Sequence, residues 1–219
     1  MKIYFNGCSW TYGKGLDNFK KDRFSKIICD ELGVEETNFS YGGISNDNII
    51  RHLISEDDIK KYDLAIIQMT FPARTEFYKK DKWVKVNPHY DYSKLTVIDK
   101  LQNKDSLQKG VIPMPPLSVR WSNKNNDESA RDEDRNFWND YFKYLTNQKF
   151  IDMREKIQFQ IIKNHCNSKG VPLILCSINP WTKLSFDLKL NNKKLPRAKC
   201  GHPNEKGHDM IAKKLLDKI

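Results

Sequence analysis

The sequence has no long apolar stretch, so nothing in it predicts a membrane-spanning segment. No run in the 219 residues approaches the roughly 18 apolar residues that a transmembrane helix requires. Residues 1–5 pass into glycine and serine too soon for a signal peptide, and their pattern is that of a buried strand. We therefore expect no membrane partner and a cytoplasmic location.

Cysteine is scarce and follows no pattern. The five cysteines show no C-x-x-C pair or other metal-ligand spacing, and their number is odd, so neither a zinc site nor a disulfide framework is predicted. This usage fits a reducing compartment. The sequence also contains no P-loop, no G-x-G-x-x-G and no H-E-x-x-H motif. We expect no cofactor and no metal.

Positive charge is in excess, with 38 lysines and arginines against 28 aspartates and glutamates, a net charge of +10. Residues 183–219 carry ten basic and four acidic side chains, or +6 of that excess. A scatter of lysines along the chain explains the charge without any ligand, whereas an anionic partner of this carboxyl-terminal stretch is the alternative. Nucleic acid is not expected, because Trp181 and Phe186 are the only aromatic residues near these charges.

Buried strands alternate with amphipathic helices along the chain. Apolar runs predict strands at residues 2–6, 34–39, 63–69 and 171–178, and helical periodicity falls between them and at 204–218. This alternation predicts a single domain over residues 1–219, a three-layer α/β/α fold with a central, mostly parallel, flavodoxin-like sheet. Ligands in such folds bind at the carboxyl ends of the strands.

Residues 75–134 interrupt the alternation. The segment contains several prolines, two tryptophans and a polar run at 122–134, and it is too long for a simple connection. We predict an insertion after the central strand that could cap the site, with a mobile last part. An apolar stripe follows at helical spacing within residues 135–167, and we predict that it packs in the core: Phe137, Tyr141, Tyr144, Leu145, Met153, Ile157 and Ile161.

Two motifs lie at opposite ends of the chain, GCSWTYG at residues 7–13 and HPNEKGH at 202–208. The pair resembles the first and last blocks of the SGNH (GDSL-type) hydrolase family, GDSxTxG and DxxHPNxxGH. The resemblance implies a flavodoxin-like fold, a serine nucleophile at Ser9 and a general base at His202. It also implies an oxyanion hole formed by the backbone N–H groups of Ser9 and Gly43.

The sequence departs from the family pattern at two positions. The acidic member of the triad would stand three residues before His202, where this chain has Lys199. The site is then either a Ser-His dyad assisted by a backbone carbonyl, or a triad with a carboxylate from elsewhere, for which Asp209 is a weak candidate. The GxND asparagine is also missing after the third strand, and Thr70 or Arg74 could donate to the oxyanion instead. Arg74 would favour an anionic substrate, unless it forms a salt bridge with Glu76.

These motifs predict a serine esterase or acyl hydrolase, acting on a small-molecule or glycan ester such as an O-acetylated carbohydrate. We assign substrate contacts to Trp10, Asn46, Arg74 and Lys199. The alternative is a binding or structural module that keeps the fold but has lost the chemistry, which the missing acid and asparagine favour. The variant motifs resemble SGNH-like proteins of bacteriophages and bacterial surface-glycan loci, and a phage-encoded protein would be expected on the virion.

Overall fold

Five parallel strands form the central sheet of the computed structural model, which describes residues 1–56, 58–79, 82–90, 117–120, 148–190 and 195–219 together with Phe137 and Tyr141. The strands are β1 (Lys2–Gly7), β2 (Glu35–Asn38), β3 (Leu64–Met69), β7 (Leu173–Ser177) and β8 (Leu188–Lys189), in the spatial order β2-β1-β3-β7-β8. This is the strand order of flavodoxin-like sheets.

Helices cover both faces of this sheet, which confirms the predicted α/β/α fold. Helix α3 packs against α6 and helix α4 packs against α5. The helices are α1 (Ser9–Tyr12), α2 (Phe19–Asp22), α3 (Phe24–Leu32), α4 (Asn46–Ser55), α5 (Gln148–Lys169) and α6 (Glu205–Leu216), with a 3-10 turn at Ile59–Lys61. Within the described ranges, no helix is long and apolar enough to cross a membrane.

The core is formed by the central strands and the inward faces of the helices. All six residues of β3 are buried, as expected for a parallel strand covered on both faces, whereas the edge strand β2 is half-exposed. Tyr4 and Phe5 of β1 have no exposed surface. Ser45 begins α4 as its N-cap by accepting a hydrogen bond from the Asn48 N–H at 3.2 Å.

A second, antiparallel sheet lies within the predicted insertion. Its strands are β4 (Thr75–Lys79), β5 (Lys82–Tyr90) and β6 (Leu117–Arg120). Strand β4 follows β3 after a short loop and packs against α4. The rest of the insertion, including the polar run at 122–134, lies outside the described residues, so its role as a lid stays a prediction.

The prediction that the apolar stripe on α5 packs in the core is wrong. Met153 and Ile157 are each about half-exposed. The buried face of the helix instead combines apolar and polar residues: Ile151, Glu155, Gln158, Ile162 and Cys166. Polar residues belong to the inner face because they form buried hydrogen bonds with the loops at the carboxyl end of the sheet. Residues Tyr144 and Leu145 of the stripe lie outside the described residues.

The order of the strands fixes where a ligand can bind. The connections from β1 and β3 leave the sheet in opposite directions, and Ser9 and Thr70 stand just after these two strands. The carboxyl edge between such strands is the binding crevice of doubly wound folds. Ser9 and Thr70 therefore both lie at this edge.

Candidate active site

Ser9 lies at a tight turn from β1 into α1. A Cβ atom on Gly7 would come within 2.3 Å of the Thr11 hydroxyl, so only glycine allows this turn. The Gln68 side chain of β3 accepts hydrogen bonds from the Thr11 hydroxyl at 3.0 Å and from the Cys8 N–H at 3.3 Å. These contacts fix Ser9 as the first residue of α1, with 6% of its surface exposed.

His202 lies in a short loop that is held against the start of α6. The loop closes on itself where the Ala198 N–H donates to the His202 carbonyl at 2.8 Å. Asn204 caps α6 by accepting a hydrogen bond from the Gly207 N–H at 3.0 Å. A Cβ on Gly207 would come within 2.4 Å of the Pro196 carbonyl oxygen, so the glycine lets the loop pack directly on the helix.

The two ends of the chain meet at these side chains. The Nε2 atom of His202 lies 3.0 Å from the Ser9 Oγ, and the Nδ1 atom lies 3.3 Å from the Cys200 carbonyl oxygen. A carbonyl can only accept a hydrogen bond, so Nδ1 must carry the proton in the neutral ring. Nε2 is then the acceptor that faces the serine hydroxyl, which is the tautomer that a general base needs.

The surroundings of His202 favour its neutral form. Burial lowers its pKa, the positive charge of Lys14 lowers it further, and Arg74 and Arg197 add to this effect. The hydrogen bond to the Cys200 carbonyl opposes the shift but does not reverse it. At neutral pH the imidazole is therefore available to accept a proton.

No carboxylate of the described residues hydrogen-bonds to the His202 ring. Lys199, at the position of the family acid, is exposed, and so is Asp209. Of the two alternatives left open by the sequence, the contacts favour the backbone carbonyl, because Cys200 is the partner of Nδ1. The described residues also contain no cluster of His, Cys, Asp or Glu that could hold a metal ion.

Two backbone N–H groups are available near the serine. Gly43 has a φ of 73°, in the left-handed region, and lies in the loop after β2. Since β2 pairs with β1, this loop lies beside the turn that carries Ser9, and the Tyr41 N–H donates to the Gly7 carbonyl at 3.2 Å. Neither the Ser9 N–H nor the Gly43 N–H donates a hydrogen bond within the described part of the chain. Both therefore remain candidate oxyanion donors.

Arg74 and Thr70 act as a pair after β3. The Arg74 Nη1 donates to the Thr70 hydroxyl at 2.7 Å, which leaves the hydroxyl hydrogen free to be donated. Thr70 has no exposed surface and Arg74 is half-buried, so Arg74 is the outer member. The salt bridge considered for Arg74 is not found, because Glu76 pairs with Arg51 at 2.9 Å.

The residues predicted to contact substrate differ in how accessible they are. Trp10 is mostly buried, with the Arg197 guanidinium 5.0 Å from its ring centre. Asn46 has no exposed surface and holds both the N–H and the carbonyl of Thr70, at 2.7 Å and 3.2 Å. This favours a supporting role for Asn46 over contact with substrate. Lys199 is exposed.

Some neighbours of the site were missed by the sequence analysis. Trp181, after β7, is half-exposed and lies 6.2 Å from the Phe71 ring, which Arg74 covers from 5.2 Å. Glu155 of α5 is buried and accepts hydrogen bonds from Asn179 and Thr182, each at 2.9 Å. Burial raises the pKa of Glu155. Of these residues, only Asn179 could have been selected from the sequence, because it directly follows the predicted strand at 171–178.

No family model matches the sequence, and no curated protein does. Solved structures do match. One is a carbohydrate esterase whose active site displays divergent catalytic and non-catalytic binding functions, with a TM-score of 0.51 and 11% identity over 99% of this chain and 64% of its own. A lipase/acylhydrolase from Enterococcus faecalis matches with a TM-score of 0.39 and 14% identity over 100% of this chain and 95% of its own. A family two carbohydrate esterase from Clostridium thermocellum in complex with cellohexaose matches with a TM-score of 0.41 and 14% identity over 100% of this chain and 63% of its own.

The fold is that of the SGNH-type hydrolases, as the sequence motifs predicted. The chain spans about 64% of the length of the carbohydrate esterase with the TM-score of 0.51. At 11% identity that likeness concerns the fold alone, so the chemistry of this chain has to be argued from its own residues.

Proposed function

We propose that the protein is a serine ester hydrolase that uses Ser9 and His202 as a dyad. The observation that carries the proposal is the 3.0 Å contact between the Ser9 Oγ and the His202 Nε2, together with the Nδ1 contact to the Cys200 carbonyl that sets the tautomer. Serine becomes a nucleophile only when a base takes its proton, and this arrangement supplies one.

The proposed reaction has two steps. The Ser9 Oγ attacks the ester carbonyl carbon while His202 takes the hydroxyl proton, and the carbonyl oxygen becomes an oxyanion. The imidazolium then gives its proton to the leaving alcohol, and an acyl-serine forms. Water attacks this acyl group with His202 again as base, which releases the carboxylic acid and restores the serine.

Three donors would stabilise the oxyanion in this proposal. They are the N–H groups of Ser9 and Gly43 and the hydroxyl of Thr70, which itself accepts a hydrogen bond from Arg74. The available backbone donors support this assignment, since an oxyanion hole requires N–H groups that are not already paired. Losing one such donor typically costs about 3 kcal/mol of transition-state stabilisation.

An acylated carbohydrate is the substrate class that we favour. The half-exposed Trp181 and the adjacent Phe71 offer aromatic surface at the carboxyl edge of the sheet, and the flat apolar faces of sugar rings pack well on such side chains. A carbohydrate esterase shares the fold, which is compatible with this choice. Its non-catalytic binding function also keeps open the alternative of a glycan-binding module without turnover.

Labelling with a fluorophosphonate probe tests the proposal. We expect the wild type to be labelled and the variants Ser9→Ala and His202→Ala not to be. Ser168→Ala is the matched control, because Ser168 is exposed on α5, far along the chain from the site motifs, and should label like the wild type. A well-folded wild type that is not labelled, and that binds acetylated glycans without hydrolysing them, would support the binding module instead.

A further inference from the structure

Three cationic side chains act on the candidate general base. Lys14, Arg74 and Arg197 each lower the pKa of His202 electrostatically, and no carboxylate of the described residues hydrogen-bonds to its ring. This is unusual for a serine hydrolase, in which the base becomes a cation during the reaction and an acidic residue normally stabilises that cation.

Lys14 is held beside the catalytic turn. Its N–H donates to the Ser9 carbonyl at 2.9 Å, so the residue follows directly from the turn that carries the serine. A Cβ on the next residue, Gly15, would lie 3.3 Å from the Cβ of His202. The turn with Lys14 and the loop with His202 are therefore packed against each other.

Arg74 follows β3, the strand that pairs with β1, which Ser9 follows. Its Nη1 donates to the Thr70 hydroxyl at 2.7 Å, and its guanidinium lies 5.2 Å from the centre of the Phe71 ring. The guanidinium is thus fixed at the end of β3, next to the end of β1.

Neither Lys14 nor Arg74 forms an ion pair with any carboxylate of the described residues. Other described arginines do form ion pairs, as in the contacts of Arg23 with Glu36 at 2.7 Å and of Arg51 with Glu76 at 2.9 Å. A guanidinium with most of its five N–H groups unused is a ready receptor for a carboxylate or phosphate.

We propose that the substrate carries an anionic group close to its scissile ester, that Lys14 and Arg74 bind this group, and that its charge stabilises the imidazolium of His202 in place of the missing acidic residue. This inference rests on the proposed esterase function and deepens it. The chemistry fits an ester of a sugar acid or of a sugar phosphate, in which a carboxylate or phosphate stands a few bonds from the acyl group.

The first test compares matched esters: an O-acetylated neutral sugar, the corresponding uronic acid and the corresponding sugar phosphate. We expect the wild type to hydrolyse at least one anionic ester with a kcat/KM at least about tenfold above the neutral ester. Arg74→Gln and Lys14→Gln should each lose most of this preference. The uronate and phosphate arms identify which anion is preferred.

Lys213→Gln is the matched control for the first test. Lys213 is an exposed lysine of α6 in the basic carboxyl-terminal stretch, and removing it should leave the preference unchanged. If Lys213→Gln reduced the preference as much as Lys14→Gln, general attraction by the basic stretch would explain it and the proposed site would be wrong.

The second test does not depend on turnover. The pKa of His202 is followed by NMR with and without the deacetylated sugar acid or sugar phosphate. Binding of the anion should raise this pKa in the wild type, and the rise should be lost in Arg74→Gln and Lys14→Gln. No rise with either anion, or equal kcat/KM values on neutral and anionic esters, would overturn the proposal while leaving the esterase function intact. If no ester were hydrolysed and Ser9 were not labelled, the proposed function itself would fail, and the NMR titration would still decide whether the anion binds.

Discussion

Acid should destabilise this fold through His208, the second histidine of the carboxyl-terminal motif. His208 has no exposed surface, accepts a hydrogen bond from the Phe24 N–H at its Nδ1 over 3.1 Å, and stacks on the Phe24 ring. Its Nε2 is buried without a partner among the described residues. This neutral side chain joins α6 to α3, and protonation would place an unpaired charge in the core.

The size of the effect follows from the pKa of His208, which burial lowers from 6.5 to about 4. The unfolded chain binds this proton more tightly than the folded one, so the contribution to stability is present above pH 6.5 and is lost as the pH falls toward 4. At about 1.36 kcal/mol per pKa unit the full loss is roughly 3 kcal/mol, and most of it should appear between about pH 7 and pH 4.5.

Urea unfolding of the wild type and of His208→Asn, each at about pH 7 and at about pH 4.5, measures this loss. The asparagine oxygen can replace Nδ1 as acceptor for the Phe24 N–H but does not titrate. We expect the wild type to lose about 2.5 kcal/mol more than the variant on acidification. Carboxylates, including Glu155, whose pKa is raised by burial, are present in both proteins and affect both alike. Equal losses, or an NMR midpoint of His208 near its ordinary value, would refute the reasoning.

Three further outcomes are expected at the site. The kcat/KM for a simple ester should fall on the acid side with a midpoint below 6.5, because the surroundings lower the pKa of His202 and its neutral form is the base; a midpoint above that value would contradict this. Gly207→Ala should reduce the free energy of unfolding by about 1–3 kcal/mol in urea and also lower kcat, because its Cβ would strike the Pro196 carbonyl. Trp181→Ala should raise the KM for an acetylated oligosaccharide far more than that for 4-nitrophenyl acetate, and an equal rise for both would argue against the aromatic sugar surface.

The central sheet could be predicted because its strands are local in sequence. The run at 63–69 became β3, Leu64–Met69, and the run at 171–178 became β7, Leu173–Ser177. Parallel strands buried on both faces are continuous apolar stretches, so their sequence identifies them without knowledge of their neighbours. The meeting of Ser9 and His202 was also predictable, since the two motifs stand at strand and helix ends that the topology brings to one edge. Their catalytic roles stay a prediction.

The inward face of α5 could not be predicted in the same way. Apolar spacing pointed to Met153 and Ile157, but the helix buries Glu155 and Gln158 instead. A buried carboxylate is stable there only because Asn179 and Thr182, from a distant part of the chain, donate hydrogen bonds to it. Such partners become visible only when the loops at the end of the sheet are in place.

The partner of His202 was hidden from the sequence for a different reason. With Lys199 at the family's acidic position, the sequence left open a backbone carbonyl or a distant carboxylate. The acceptor is the Cys200 backbone carbonyl, which any residue at that position would provide, so no side chain marks it in the sequence. What Cys200 contributes is therefore set by the turn at Gly201, with its φ of 80°, and not by its side chain. A carbonyl can orient the ring and fix its tautomer, yet it carries no full charge to stabilise an imidazolium. In the proposed dyad, the carbonyl therefore keeps the geometry of the ring but not the negative charge of an acidic residue, and the proposed anionic substrate would supply that charge beside Lys14 and Arg74.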